Sequence, residues 1–215
     1  MRNPNIVPLT IHPIPKPGPT GWTWHKLNKI AKLESGHTPS RSRPDWWGGD
    51  IPWLALPDIR KLDGQYADDT LEHTNDEGLA NSSARLLPKG TVCLSRTASV
   101  GYVTILNRPM ATSQDFVNWI CGPELHPEFL MYTLLASRDY IRSLSSGAIH
   151  KTVYVPTVKD FQVCAPSINE QTRVAKLIRV QMNGVESAKV AVGKQLAAIN
   201  ALPASILRQA FSGQL

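Results

Sequence analysis

The stretch that decides the architecture runs from Ser167 to Leu215: SINEQTRVAKLIRVQMNGVESAKVAVGKQLAAINALPASILRQAFSGQL. It opens on Ser167 with Glu170 three positions later, a capping box in which hydroxyl and carboxylate satisfy amide donors that the first helical turn leaves orphaned. Beyond it Ile178, Val185, Val192, Ile199 and Ile206 recur at every seventh residue, interleaved with Met182, Lys189, Leu196, Pro203 and Ala210. A seven-residue repeat of that kind is a coiled-coil seam. From Ile168 to Leu202 the helix extends about 50 Å at 1.5 Å per residue, too long a stripe for its own chain to bury, so it calls for another helix. The alternative is an ordinary core helix, and Lys189 and Pro203 both interrupt the seam. Pro203 is expected to end the long helix, because its ring clashes with the preceding turn and removes a hydrogen bond. A short second helix from Pro203 to Phe211 follows, with Gly213 closing it.

Working outward, a chain of 215 residues with 42% hydrophobic content supports one sizeable domain plus this extension. Pro4, Pro8, Pro13, Pro15, Pro17 and Pro19 make residues 1–20 an extended proline-rich arm rather than a leader peptide. No stretch is expected to reach the length of a membrane span, and a cytoplasmic location is expected. Cys93, Cys121 and Cys164 are odd in number and widely spaced, as buried thiols of a reducing compartment are. Zinc is not expected from such spacing, and His37 and His150 are single loop histidines.

The formal net charge of +6 points toward a polyanion, and its distribution is polarised. Residues 45–77 carry nine acids against Arg60 and Lys61, a net of −7. Residues 78–114 carry Arg85, Lys89, Arg96 and Arg108 with no acid, and the part from Ile168 onward adds a further net +4.

Between arm and helix, residues 21–166 read as an α+β domain, mostly antiparallel and rich in strands, with one internal helix. GWTWHKLNKIAKLESG begins it with a strand and a short connecting element. HTPSRSRPDWWGGD is a polar loop in which Pro39, Pro44 and Gly48-Gly49 disfavour a regular element. IPWLAL is a strand, LLPKGTVCLSR and ASVGYVTIL are two strands about a turn at Arg96 to Ser99, and DFVNWI is another. His126 caps a helix with Pro127 in its first turn, running to about Leu144. SSGAIHK is a loop, and KTVYV and FQVCAP complete the strands.

Motifs of catalysis are missing: no GxxxxGK[ST], no GxGxxG and no GxSxG. The acids Asp50, Asp58, Asp63, Asp68 and Asp69 lack a lysine at the spacing a metal-dependent nuclease uses, and read as a solvated face. Reading DNA instead needs short polar and cationic side chains on loops. HTPSRSR supplies Thr38, Ser40, Arg41 and Arg43; SRTAS supplies Ser95, Arg96, Thr97 and Ser99; ATSQDF supplies Gln114; SSGAIHK supplies Ser145, Ser146, His150 and Lys151. Trp46, Trp47 and Trp53 are candidates for stacking on bases or for packing beside the glycine turn.

The ordered series GWTWHKLNKIAKLESGHTPS, PDWWGGDIPW, GLANSSARLLPKGTVCLSR, ATSQDF, SGAIHKTVYVPTVKDFQVCAPSINEQTRVAKL and SILRQAFSGQL covers residues 21–215 and resembles one half of the specificity subunit of type I restriction-modification systems. Ser113 stands where the family commonly shows Asn, and Ala148-Ile149 where Ser-Thr is common. The resemblance implies a target recognition domain followed by a long helix, two such halves pairing through antiparallel helices. It implies no catalysis by the chain itself and no cofactor of its own. Partners implied are double-stranded DNA, methylation subunits that carry S-adenosylmethionine, and a translocating restriction subunit. With one recognition domain present, a homodimer through the seam of Ile178, Met182, Val185, Val192, Leu196, Ile199 and Ile206 is expected, reading a bipartite palindromic site. The rival readings are a nuclease or methyltransferase fragment, and a helical adaptor or decoy of the same complex that binds no DNA.

Overall fold

A computed structural model describes residues 8–12, 19–147 and 151–213. In chain order the elements are β1 (Leu9–Thr10), β2 (Thr23–Lys26), α1 (Leu27–Ile30), β3 (Ala31–Ser35), β4 (Trp47–Leu54), α2 (Leu56–Lys61), β5 (Tyr66–Ala67), β6 (His73–Thr74), α3 (Asp76–Ala80), β7 (Val92–Ser95), β8 (Val103–Leu106), β9 (Ala111–Thr112), β10 (Phe116–Cys121), α4 (Pro127–Ala136), α5 (Arg138–Ser143), α6 (Val155–Lys159), β11 (Gln162–Ala165) and α7 (Ile168–Phe211). The class is α+β, as the sequence predicts. The chain forms two compact units, Met1–Thr172 and Arg173–Leu215.

The first unit is organised on a five-stranded sheet in the order β3-β10-β7-β8-β5. All its pairings are antiparallel except β5 with β8. β7 and β8 are buried at every position, so their apolar runs read as central strands should, and α4 covers them with Phe129, Leu130, Met131 and Leu134. Leu54, Ile59, Leu87, Leu106, Met110 and Phe116 form one core cluster, and Trp119 stacks on Phe161 with ring centroids 6.1 Å apart. Two small sheets flank it, β1-β11-β2 and β6-β4-β9. Within the proline-rich arm, Leu9 is 1% exposed and Leu9–Thr10 pair with Val163 and Gln162.

Where one internal helix is expected in residues 21–166, the described residues hold the six helices α1 to α6, because short turns of helix join the strands. Four further expectations are corrected. First, the glycine pair lies inside β4, not in a loop: Trp47 and Ile51 both oppose Thr74, so Gly48 and Gly49 form a bulged excursion of the strand. Gly48 has φ +79, and a Cβ on Gly49 would stand 2.5 Å from Asn75 Cβ. Second, KTVYV is not a strand. Thr152 makes only isolated bridges, and Pro156, suited to a first helical turn, starts α6 instead. The helix expected to reach Leu144 is also divided at Ser137, whose hydroxyl donates to the Thr133 carbonyl at 2.8 Å and so competes with the helical ladder.

Third, Pro203 does not end the long helix: α7 is continuous over 44 residues, about 66 Å. Proline deprives one carbonyl of its donor, but that carbonyl belongs to Ile199, a residue 60% exposed, where water can replace the lost partner. Gly213 does close the helix region, with φ +72 and its amide donating to the Ala210 carbonyl at 3.3 Å. Fourth, α7 is long and apolar enough by length and composition to cross a membrane, contrary to the expectation that no stretch is. Three of its six cations, Arg173, Lys176 and Arg179, fall near its start, and the other three, Lys189, Lys194 and Arg208, are spaced among alanine and branched residues, which leaves an apolar window.

Candidate nucleic-acid interface

Strand polarity alone gathers the candidate loops. β3 and β7 both run antiparallel to β10, with Ser35 opposite Val117 and Ser95 opposite Phe116. The ends of β3 and β7 therefore meet the start of β10, and the segments after Ser35, after Ser95 and before Phe116 leave the same end of the sheet. Gly36 lets the first of these lie against the third: a Cβ there would be 1.9 Å from the Ser113 carbonyl oxygen and 2.3 Å from Thr112 Oγ1. The His37 amide then donates to the Thr112 carbonyl at 2.9 Å, and the Thr38 hydroxyl donates to Gln114 Oε1. Gln114 also ties in the second loop, its carbonyl accepting from Arg96 Nη2 at 2.9 Å.

The fourth segment joins through backbone bonds. The Val153 amide donates to the Arg96 carbonyl at 2.8 Å and the Ala98 amide to the Lys151 carbonyl at 3.1 Å, while Ser146 and Thr152 exchange amide bonds of 3.0 and 2.9 Å. Thr38, Gln114, Arg96, Thr97, Ser146 and Lys151 are thus brought into one continuous surface. His150, with Ala148 and Ile149, lies outside the described residues.

The predicted residues do not play equal parts in it. Ser95 and Ser99 are buried; Ser95 Oγ donates to the Thr97 carbonyl at 3.3 Å and Ser99 Oγ accepts from Arg60 Nε at 2.8 Å, so both build the turn. Ser113, also buried, bonds Asp115 through its hydroxyl at 3.1 Å and shapes the turn that presents Gln114. Ser145 donates to the Arg142 carbonyl at 2.6 Å, and exposed Ser40 faces Ser42 at 2.8 Å. Gln114, Ser146 and Lys151 are exposed. Arg96 is half-buried, and its Nε is enclosed without a hydrogen-bond partner while Nη2 holds Gln114, an arrangement that fixes the guanidinium in the middle of the loops.

Arg41 and Arg43 are already engaged. Arg41 makes a two-pronged bond to Glu72, 2.7 Å at each oxygen, and lies 3.8 Å over the Trp47 ring and 4.8 Å from Trp53. Arg43 grips Asp45 at 3.0 and 2.6 Å with Trp46 beneath it at 4.7 Å. The Arg41 guanidinium holds the Glu72 carboxyl below its ordinary range. Glu72 and Asp45, both within the acidic 45–77 segment, are therefore counter-charges folded onto the first loop. Two of the acids expected on a solvated face are not there: Asp58 is buried and accepts from the Ala55 and Leu71 amides, and Asp63 is paired with Arg138. Trp53 is buried at 4% exposure with its Nε1 donating to the His37 carbonyl at 3.1 Å, and Trp47 Nε1 donates to the Ser40 carbonyl at 3.2 Å, so both serve as loop supports.

Sequence reasoning missed Gln171. Buried at 1% exposure in the first turn of α7, it accepts from the His126 amide at 2.9 Å and donates to the Glu124 and Pro166 carbonyls at 3.0 and 2.9 Å. It also missed Arg142, whose only signal was a cation three residues ahead of the Ser145 loop. Among the described residues no group of histidines, cysteines and acids is disposed to hold a metal. Burial pushes all three thiols up, Cys121 to about 12, so they remain protonated near neutrality. In α7, Met182, Val185, Val192, Leu196, Ile199 and Ile206 are exposed by 51 to 61%, and Ile178 lies one heptad before Val185.

The model of the type I restriction modification DNA specificity domain matches residues 19–189. The chain belongs to that family. Among relatives of the specificity domain, the type I restriction enzyme MjaIX specificity subunit of Methanocaldococcus jannaschii is 29% identical over 173 residues, 80% of this chain and 40% of the relative. The EcoprrI specificity subunit of Escherichia coli is 30% identical over 149 residues, 66% of this chain and 36% of the relative. The fold of the HsdS subunit from Thermoanaerobacter tengcongensis superposes with a TM-score of 0.68 at 21% identity, over 95% of this chain and 48% of that one. A chain from a type I R-M system solved for its assembly and conformational transition superposes with a TM-score of 0.77 at 19% identity, over 95% and 50%. The chain thus spans half or less of the length of each of these proteins.

Proposed function

We propose that this chain is a non-catalytic DNA sequence-recognition module of a type I restriction-modification system, directing methylation to a bipartite site. The observation that carries this reading is the convergence of three candidate loops and Gln114 at one end of the central sheet, in a chain of the specificity-domain family. Short polar and cationic side chains on a rigid sheet end can enter a groove and reach base edges. S-adenosylmethionine belongs, on this reading, to the partner methylation subunits, and a restriction subunit joins the same complex where one is made.

Two copies pair through α7. Its exposed seam repeats every seven residues, the pattern of helix pairing, whereas a membrane span is apolar on all faces. Paired antiparallel helices relate two identical recognition domains by a two-fold axis, and a two-fold protein reads inverted half-sites. The site is then palindromic, two short half-sites separated by a spacer of fixed length. Methylation mapping of cells with and without the gene tests this: a palindromic bipartite site is expected, and an asymmetric one would refute the homodimer. The adaptor reading has one observation in its favour, the ion pairs that occupy Arg41 and Arg43. Salt-dependent binding of purified protein to duplex DNA excludes it.

A further inference from the structure

Adjoining the recognition surface, between the β7–β8 turn and the end of α5, lies an open cavity of about 340 Å³. Its wall is shared with the second candidate loop through Ala98 and Ser99, and Arg142 and Lys151 also line it. Arg142 is anchored by its Nε, which donates to the Val100 carbonyl at 3.1 Å, so both terminal nitrogens are left to bind elsewhere. Its one acid partner among the described residues is Asp139, 3.7 Å from Nη1 and fully exposed, a weak competitor in water. Lys151 is exposed, with no ion pair among the described residues.

Ser99 adds a directed hydroxyl. Because Ser99 Oγ accepts from Arg60 Nε at 2.8 Å, its own hydrogen is left to donate, and the bond sets a third cation beside the cavity. No acid is among the residues that line the cavity. Ala98 has φ +56, a left-handed conformation that costs energy for any residue with a Cβ and that turns hold where a binding surface over-determines them.

We propose that this cavity seats one phosphodiester of the duplex DNA backbone, with Arg142 and Lys151 as its cations and Ser99 as hydroxyl donor. The proposal rests on the DNA-recognition reading and extends it. Contacts to phosphate carry no sequence information but fix the register of a protein on the duplex, and a grip on the β7–β8 turn would set how far Arg96 and Gln114 enter the groove. The cavity has room for a phosphate group with several bridging waters, given about 30 Å³ per water. Nothing in its lining offers a slot for a base: Tyr102, its one aromatic, is covered by Arg138 at 5.2 Å.

The test compares the full chain with Lys151→Ala, Lys151→Glu and the double variant Arg142→Gln/Lys151→Ala, measuring affinity for target and unrelated duplexes across a salt series. Lys151 is exposed and its bond to the Ala98 amide is made by its backbone carbonyl, so its side-chain variants stay informative if loss of the Arg142 anchor unfolds the double variant. Lys151→Ala should weaken binding to every duplex by a similar factor, on the order of tenfold or less, with the specificity ratio kept. The slope of log affinity against log salt should shrink by about 0.9 for each cation removed. Unchanged affinity and slope in Lys151→Ala and Lys151→Glu, with the parent binding its target, would overturn the pocket and leave recognition standing. A parent that binds no duplex would overturn both. Protection of the parent against heat by inorganic phosphate at constant ionic strength, with no change in duplex binding on substitution, would make this a free-anion site and overturn the DNA assignment.

Discussion

Replacing Gly36 with alanine is the most direct perturbation of the surface that gathers the loops. The added Cβ would stand 1.9 Å from the Ser113 carbonyl oxygen, 2.3 Å from Thr112 Oγ1 and 2.6 Å from the Thr112 carbonyl oxygen. Two of these are main-chain atoms, so no side-chain rotation relieves the overlap, and restoring a 3.0 Å separation needs more than 1 Å of backbone movement. A shift of that size breaks the bond from the His37 amide to the Thr112 carbonyl and the one from Thr38 to Gln114. At about 1 kcal/mol each, with about 1 to 3 kcal/mol for overpacking, the cost is about 3 to 5 kcal/mol. For a domain of this size that lowers Tm by roughly 10 °C. Gly184→Ala is the matched control. It lies in α7 with nothing within 4 Å of its Cβ, and should be neutral or stabilise helix by about 1 kcal/mol. Calorimetry gives the first readout and duplex-DNA affinity the second, since Gly36→Ala displaces Thr38 and Gln114 even where the fold survives. A Gly36→Ala variant that melts within 2 °C of the parent, by the ~2–4 °C per kcal/mol scale, and binds DNA equally well would refute the close approach.

Replacing Val192 and Ile199 together with Asp should convert dimer to monomer in sedimentation, because pairing would bury two unpaired charges at several kcal/mol; a parent that is monomeric at micromolar concentration even with methylation subunits would end the seam model. Arg96→Ala should weaken DNA binding by about 1 to 3 kcal/mol and relax preference at one base position if the contact is to a base edge, while a uniform loss with a smaller salt slope assigns it to phosphate. Gln171→Ala leaves the His126 amide and the Glu124 and Pro166 carbonyls without their partner, a cost of about 2 to 4 kcal/mol that thermal unfolding should show and Gln171→Glu should restore only in part. Because Arg41 lowers the Glu72 carboxyl, the stability it contributes is present above the ordinary value of 4.5 and is lost as pH falls through the lower folded value. Glu72→Gln should flatten that acid limb in a pH series of melting curves, and an unchanged limb would count against the ion pair.

Much of the fold was legible because it is written in consecutive residues. The apolar runs of β7, β8 and β10, the proline that opens α4 and the seven-residue repeat of α7 each report a local backbone period or a single fixed φ, and neighbours in sequence are enough to specify them. The loops that form the candidate interface were legible by composition, and the family by the order of its motifs. What only the tertiary structure decided depends on partners far along the chain. Glu72 reaches Arg41 across 31 positions, Gln114 reaches Thr38 across 76, and Gln171 holds the turn at Glu124 and His126. The same distance explains the errors. Gly48-Gly49 looks like a loop until Thr74 pairs on both sides of it, and Pro203 looks like a helix end until the exposure of Ile199 leaves its carbonyl to water. Local sequence sets which conformations a segment prefers at a cost of a few kcal/mol, and long-range pairing, worth as much, selects among them.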